Sequence, residues 1–131
     1  MGGQLNRTVR VEDASSGRTL EAWVRRVGDD LVLAVGGGSA PHVGCVVLAQ
    51  PCRSRSRPGE LSASCSVLTI PPHKEEPIAR SIACELAVAL DCVTVVTAGV
   101  HDDNLDADGV ACYLRLGEEL ARLLVAEMIL G

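Results

Sequence analysis

Leu61-Ser62-Ala63-Ser64-Cys65-Ser66-Val67-Leu68-Thr69-Ile70-Pro71-Pro72-His73-Lys74-Glu75-Glu76-Pro77-Ile78 decides the fold, because the hydrophobic period changes within it. Ser62, Ser64 and Ser66 alternate with Ala63, Cys65 and Val67, the pattern of a strand with one covered face and one wetter face. Pro71-Pro72 cannot continue a ladder, so the strand ends there. Glu75, Glu76 and Pro77 suit the first turn of a helix, where carboxylates meet the positive end of the dipole and proline loses no hydrogen bond. From Ile78 the apolar residues recur at helical spacing through Ile82, Leu86 and Leu90, with Arg80 and Glu85 on other faces.

Upstream of this stretch the chain reads as strands. Thr8 to Glu12 and Leu20 to Val27 have β-branched, alternating character and flank the turn-prone Asp13-Ala14-Ser15-Ser16-Gly17, which predicts a hairpin. Gly28-Asp29-Asp30 is a second turn, Leu31 to Val35 a third strand, and Gly36-Gly37-Gly38 a flexible loop after it. Val43 to Ala49 is a continuous apolar strand. Gln50 to Gly59, with Arg53, Arg55 and Arg57 between Pro51 and Pro58, reads as a solvated hairpin tip. Downstream, Cys92 to Val100 is a buried strand, and a second helix runs from about Asp108 to Leu130. Its expected inward residues are Val110, Leu114, Leu120 and Leu124, with Arg115, Glu118, Glu119, Arg122 and Glu127 outward. The expected fold class is α+β, a two-layer sandwich in which a mostly antiparallel sheet of about five to six strands carries two helices on one face. The other face is left for water, a second copy or a ligand.

Composition narrows the function. The 131 residues are the size of one compact domain, with residues 1–7 read as a tail. Hydrophobic residues make up 47 % of the chain, yet there is no Phe, and Trp23 and Tyr113 are the only aromatics, so the core is aliphatic. Twelve basic against seventeen acidic residues give a formal charge of -5, which repels a phosphate backbone. Two aromatics also make a poor stacking platform, so nucleic acid is not an expected partner. No apolar run is long enough to span a membrane, no secretion signal opens the chain, and Arg7 follows Asn6 where a myristoylation signal needs Ser or Thr at Asn6. Cys45, Cys52, Cys65, Cys84, Cys92 and Cys112 form no Cys-x-x-Cys pair and lie mostly in apolar runs, as small core residues of a reduced, cytoplasmic protein do.

All three histidines fall at ends of expected core strands: His42 in Pro41-His42-Val43-Gly44, His73 in Pro71-Pro72-His73-Lys74, and His101 in Gly99-Val100-His101-Asp102-Asp103-Asn104. Three neutral imidazoles can hold a divalent transition metal and leave a coordination position open. Glu75, Glu76, Asp102 and Asp103 stand beside them as further ligands or as groups that fix the imidazole tautomers. The competing account makes each histidine a loop residue that touches only backbone. Gly44 and the glycine run would let a ligand approach the main chain, or are simply hairpin residues. Lys74 at a helix start suits a phosphate, whereas the Arg53–Arg57 tip reads as solvated. Ser62, Ser64 and Ser66 lack a nucleophile elbow, and Cys45, the thiol nearest His42, reads as packed core.

The segments Pro41-His42-Val43-Gly44, Val47-Leu48-Ala49-Gln50-Pro51, Ser66 to Glu75 and Val95 to Asn104 together resemble the prenylated-flavin chaperone family, the LpdD-like small subunits of gallate and hydroxyarylic acid decarboxylase systems. The resemblance covers about residues 20 to 130. It implies a small metal-binding protein, not an enzyme, that carries reduced prenylated FMN from a flavin prenyltransferase to a UbiD-type decarboxylase. It further implies His42, His73 and His101 as metal ligands, with Gly44, Lys74, Glu75, Asp102 and Asn104 as neighbours that orient them or meet the cofactor. Cys45, Cys52 and Asp103 depart from the plainer residues expected at their positions. The scarcity of aromatics points to flavin contacts that are aliphatic, through backbone or through metal, or are shared across a homo-oligomer. Two other classes stay open: a small metal-dependent enzyme with Glu75, Glu76 or Asp102 as base, and a docking subunit that presents its wet sheet face to a decarboxylase.

Overall fold

The computed structural model describes residues 6–71 and 75–130. In chain order the elements are β1 (Asn6–Glu12), β2 (Thr19–Val27), β3 (Asp30–Gly38), β4 (Cys45–Arg53), β5 (Leu61–Thr69), α1 (Glu76–Leu90), β6 (Thr94–His101) and α2 (Ala107–Leu130). The strands form one sheet in the order β1-β2-β3-β6-β4-β5. Every pairing is antiparallel except β3 with β6, which run parallel. Both helices cover the same face, α1 over β4, β5 and β6 and α2 over β1 and β2, so the expected two-layer α+β sandwich is what the chain adopts.

Strand alternation sorts the two faces. Leu20, Ala22 and Val24, then Leu31, Leu33 and Val35, then Cys45, Val47 and Ala49, and finally Thr94, Val96 and Ala98 all turn toward the helices and are buried. Ile78, Ile82 and Leu86 of α1 and Leu116, Leu120 and Leu124 of α2 close over them. Each such aliphatic side chain stabilises the fold by about 1.5–3 kcal/mol relative to exposure, so the absence of Phe is no handicap. On the opposite face Trp23, Val32 and Leu68 stand exposed beside Ser64 and Ser66. The serine alternation of β5 therefore marks the uncovered face, as expected.

Three local expectations are corrected. Gly36, Gly37 and Gly38 are not a loop but the last residues of β3, paired with β2 through Gly36 and Gly37 and with β6 through all three. They are glycines because neighbours crowd them: a Cβ on Gly37 would lie 2.6 Å from the Thr19 carbonyl oxygen. β4 continues through Pro51 and Cys52 to Arg53, so the hairpin tip is shorter than the Gln50–Gly59 reading. Proline is tolerated there because β4 pairs with β6 only as far as Ala49 and beyond that point has β5 on one side alone. In α2, Val110 and Leu114 are not inward, being 45 % and 38 % exposed; Cys112, Tyr113, Leu116 and Gly117 take the buried side of that turn.

Topology gathers the loops. Because β3 and β6 are parallel and β4 runs against β6, the ends of β3 and β6, the start of β4 and the end of β5 share one edge of the sheet. The β3–β4 connection then folds back across the uncovered face, where Pro41 lies on Gly36 and the backbone of His42 lies directly on Gly99. A Cβ at Gly99 would overlap the His42 carbonyl. Gly99→Ala is therefore expected to cost about 1–3 kcal/mol by overpacking, read as a lowered urea midpoint.

Away from that edge, the Cys84 thiol of α1 is pushed up to about 12, first by burial and then by hydrogen bonding to Cys65 of β5. A group raised in the folded state loses its stabilising contribution as pH rises from its ordinary value of 9.0 toward about 12. The urea midpoint should fall across that alkaline window, and less steeply in Cys84→Ala than in wild type.

Candidate functional site

His42 is held by two neighbours. Its Nδ1–H donates to the Ala40 carbonyl at 3.1 Å, and because a carbonyl only accepts, this contact assigns the Nδ1 proton. Nε2 is thereby turned toward Glu75, 3.1 Å from Oε1. Glu75 is 5 % exposed, an uncommon position for a carboxylate, and it sits at the N-cap of α1 without using its side chain as a cap. Its carboxylate instead packs on Gly44, where a Cβ would lie 2.6 Å from Oε2. Gly44 is thus a glycine because the carboxylate occupies the space a side chain would need. It is fixed to the sheet by N–H donation to the Ala98 carbonyl at 2.9 Å, and its own carbonyl accepts from Ile70 N–H at 2.8 Å.

His101 closes β6 at the same edge. Its carbonyl accepts from Ser39 N–H at 2.8 Å, Ala40 N–H at 3.3 Å and the Ser39 hydroxyl at 3.2 Å, so the segment that carries His42 wraps around it. The ring turns outward, where Nε2–H donates to Asp103 Oδ1 at 3.0 Å. Asp103 is 89 % exposed, and a pair so open to water contributes at most about 1 kcal/mol, which leaves the ring free to exchange partners. Among the described residues no group of three or more His, Cys, Asp or Glu side chains comes together as a metal site. His42 and Glu75 supply an imidazole nitrogen and a carboxylate oxygen, a donor pair whose chemistry fits a divalent transition metal. The expected ligand His73 and the expected phosphate contact Lys74 lie outside the described residues.

Asp102 serves a purpose that sequence reasoning missed. Its Oδ1 accepts from Ser39 N–H at 3.0 Å; its Oδ2 accepts from the buried Tyr113 hydroxyl and lies 3.7 Å from Arg18 Nε. One carboxylate thus ties the β3–β4 connection, the end of β6, α2 and the β1–β2 turn. These residues border an open polar cavity of about 510 Å³ that Ser16, Thr19 and Gly38 also line. Burial, then the bond to Asp102, raises the Tyr113 hydroxyl well above the usual phenol range. Asn104, expected beside the cofactor, has φ 56° in the turn before α2, a left-handed conformation that asparagine tolerates better than most side chains. Cys45, directly after Gly44, has its thiol raised by burial and then by the Glu75 carboxylate, as a packed core thiol would.

Tyr113→Phe tests the Asp102 tie. Losing a hydrogen bond to a charged acceptor is expected to cost about 1.5–3 kcal/mol, read by urea denaturation, and to speed amide exchange at Ser39.

The sequence matches the prenylated flavin chaperone LpdD-like domain over residues 14–129. No curated protein matches it. Among solved structures, a chain of a chaperone complex for yeast 20S proteasome assembly is similar, with a TM-score of 0.63 and 20 % identity over 95 % of this chain and 96 % of that one. At that identity the likeness is one of fold. None of the described helices is long and apolar enough to cross a membrane. With the family match spanning nearly the whole chain, the protein belongs to the prenylated flavin chaperone LpdD-like family.

Proposed function

We propose that this protein is a non-catalytic carrier of reduced prenylated FMN, which it receives from a flavin prenyltransferase and passes in the cytoplasm to a UbiD-type decarboxylase. The observation that carries the reading is the His42–Glu75 pair. With its Nδ1 proton committed to the Ala40 carbonyl, the ring presents Nε2 to a buried carboxylate, and that geometry is favourable only if a proton or a cation lies between them. A divalent transition metal held by His42, His73 and His101, with Glu75 against it, satisfies both groups. When bound, such an ion supplies a Lewis-acidic centre for an oxygen-rich cofactor. Lys74 would meet the flavin's phosphate, Gly44 would allow Glu75 and the cargo to approach the backbone, and Asp102 and Asn104 would position the loop that carries His101.

The uncovered sheet face supports a second element of the reading. Trp23, Val32 and Leu68 are 46 %, 43 % and 74 % exposed on it, apolar side chains spread across the face from β2 to β5. We assign that face to a homo-oligomeric contact, which would bring in from a second copy some of the cargo-covering surface that a chain with two aromatics lacks.

Metal analysis of untagged protein by inductively coupled plasma mass spectrometry tests the carrier. Near-stoichiometric metal is expected in wild type, and at least a tenfold loss in each of His42→Ala, His73→Ala and His101→Ala with the fold intact by circular dichroism. Anaerobic titration with reduced prenylated FMN should show binding that a chelator abolishes. Metal-free wild type that takes up no divalent ion would remove the site. Turnover of a substrate by the loaded protein would replace the carrier with an enzyme.

A further inference from the structure

Val110 and Leu114 are apolar residues that the helical pattern of α2 would bury and the fold leaves open, at 45 % and 38 % exposed. They are not scattered surface residues. Together with Ile78, Val100, Leu105 and Tyr113 they border a cavity of about 220 Å³ between the N-terminal ends of α1 and α2, and the remaining wall is Glu75. For scale, an aliphatic cavity of about 150 Å³ in another protein holds a molecule of benzene. The walls are set by packing: a Cβ on Gly109 would collide with Leu105, and one on Gly117 would lie 3.3 Å from Ile78, so both side chains are seated against α2 before any ligand arrives.

The position of Glu75 joins this cavity to the candidate site. The same carboxylate is 3.1 Å from His42 Nε2 and lines the apolar space, so a ligand anchored at His42 has a hydrocarbon-sized recess beside its anchor. Resting on the carrier reading above, we propose that this recess receives the prenyl-derived hydrocarbon portion of the cargo and is what separates prenylated FMN from plain FMN. The two cofactors share the phosphate, the ribityl chain and the dimethylbenzene and pyrimidine portions of the flavin. They differ by a five-carbon apolar unit, and an apolar recess next to the shared anchor is placed to read that difference. A single methylene in a hydrophobic pocket is worth about 10- to 200-fold in discrimination, so a preference of at least tenfold follows.

The test is anaerobic titration of the metal-replete protein as purified with two probes, reduced FMN and reduced prenylated FMN, on wild type, Val110→Trp and Leu114→Trp. Both positions are partly exposed, so an indole can enter the recess without displacing the buried core, and either variant alone suffices if the other folds poorly. Wild type is expected to prefer the prenylated form by at least tenfold, and the filled variants to lose that preference, with the ratio of the two dissociation constants falling toward one. Equal affinity of wild type for both probes would overturn the assignment of the recess while leaving the carrier intact. So would a filled variant that keeps the wild-type ratio. Failure of metal-replete wild type to bind either probe would overturn the carrier reading itself, and this inference with it.

Discussion

The missing side chain at Gly99 is the constraint on which the sheet's functional edge depends. Because nothing projects there from β6, the His42 backbone can lie directly on the strand, and the β3–β4 connection is laid across the sheet instead of arching away. That placement puts Nε2 of His42 against Glu75 and brings Ser39 and Ala40 within reach of the His101 carbonyl. Gly44 repeats the device one step further on, making room for the Glu75 carboxylate. Two absent Cβ atoms thus allow one loop, one helix start and one strand end to share a small volume.

Charge placement then secures what close packing permits. A carboxylate removed from water is costly unless compensated, and the two compensated carboxylates of this edge do different work. Asp102, 24 % exposed in its side chain, is surrounded by donors from the protein itself and so acts as a tie between elements. Glu75, more deeply buried, faces an imidazole whose other nitrogen is committed, which leaves that pair dependent on a proton or a metal for its balance. The contrast separates a carboxylate held by several protein donors from one that faces a single imidazole, although both stand next to a histidine in the sequence or in space.

The layer architecture was legible because it depends on local period: the serine alternation of β5, the stop at Pro71 and the spacing of Ile78, Ile82 and Leu86 each survive in the fold. Gly36-Gly37-Gly38 was not legible, since a glycine run signals a loop unless one knows that β2 and β6 flank it on both sides. The same holds for Val110 and Leu114, which follow buried Gly109 and Tyr113 by one position each and so stand at the margin of the face that α2 turns inward; apolar spacing alone did not show that the small Gly109 and the polar-tipped Tyr113 set that face. Of the candidate site, His101 was readable as a strand end, whereas His42 lies in the β3–β4 connection three residues before β4, and its approach to the end of β6 follows from the parallel β3–β6 pairing that no sequence signal announced. Asn104 owes its identity to a left-handed turn, and Asp102 to contacts with Arg18 and Tyr113 far away in the chain; a residue's neighbours in sequence reveal neither.

What surrounds the site also bears on whether it transforms its ligand or only holds it. The two protonated groups next to it, the Cys45 thiol and the Tyr113 hydroxyl, are both shifted upward, in each case by burial first and by an adjacent carboxylate second. An upward shift keeps such groups neutral across the physiological range, where a thiolate would attack and a phenolate would accept protons. Enzymes that use these residues arrange the opposite, lowering the nucleophile's pKa with a cation or a helix N-terminus. A fold that places Glu75 against Cys45 and Asp102 against Tyr113 thus disfavours both the thiolate and the phenolate beside the candidate site.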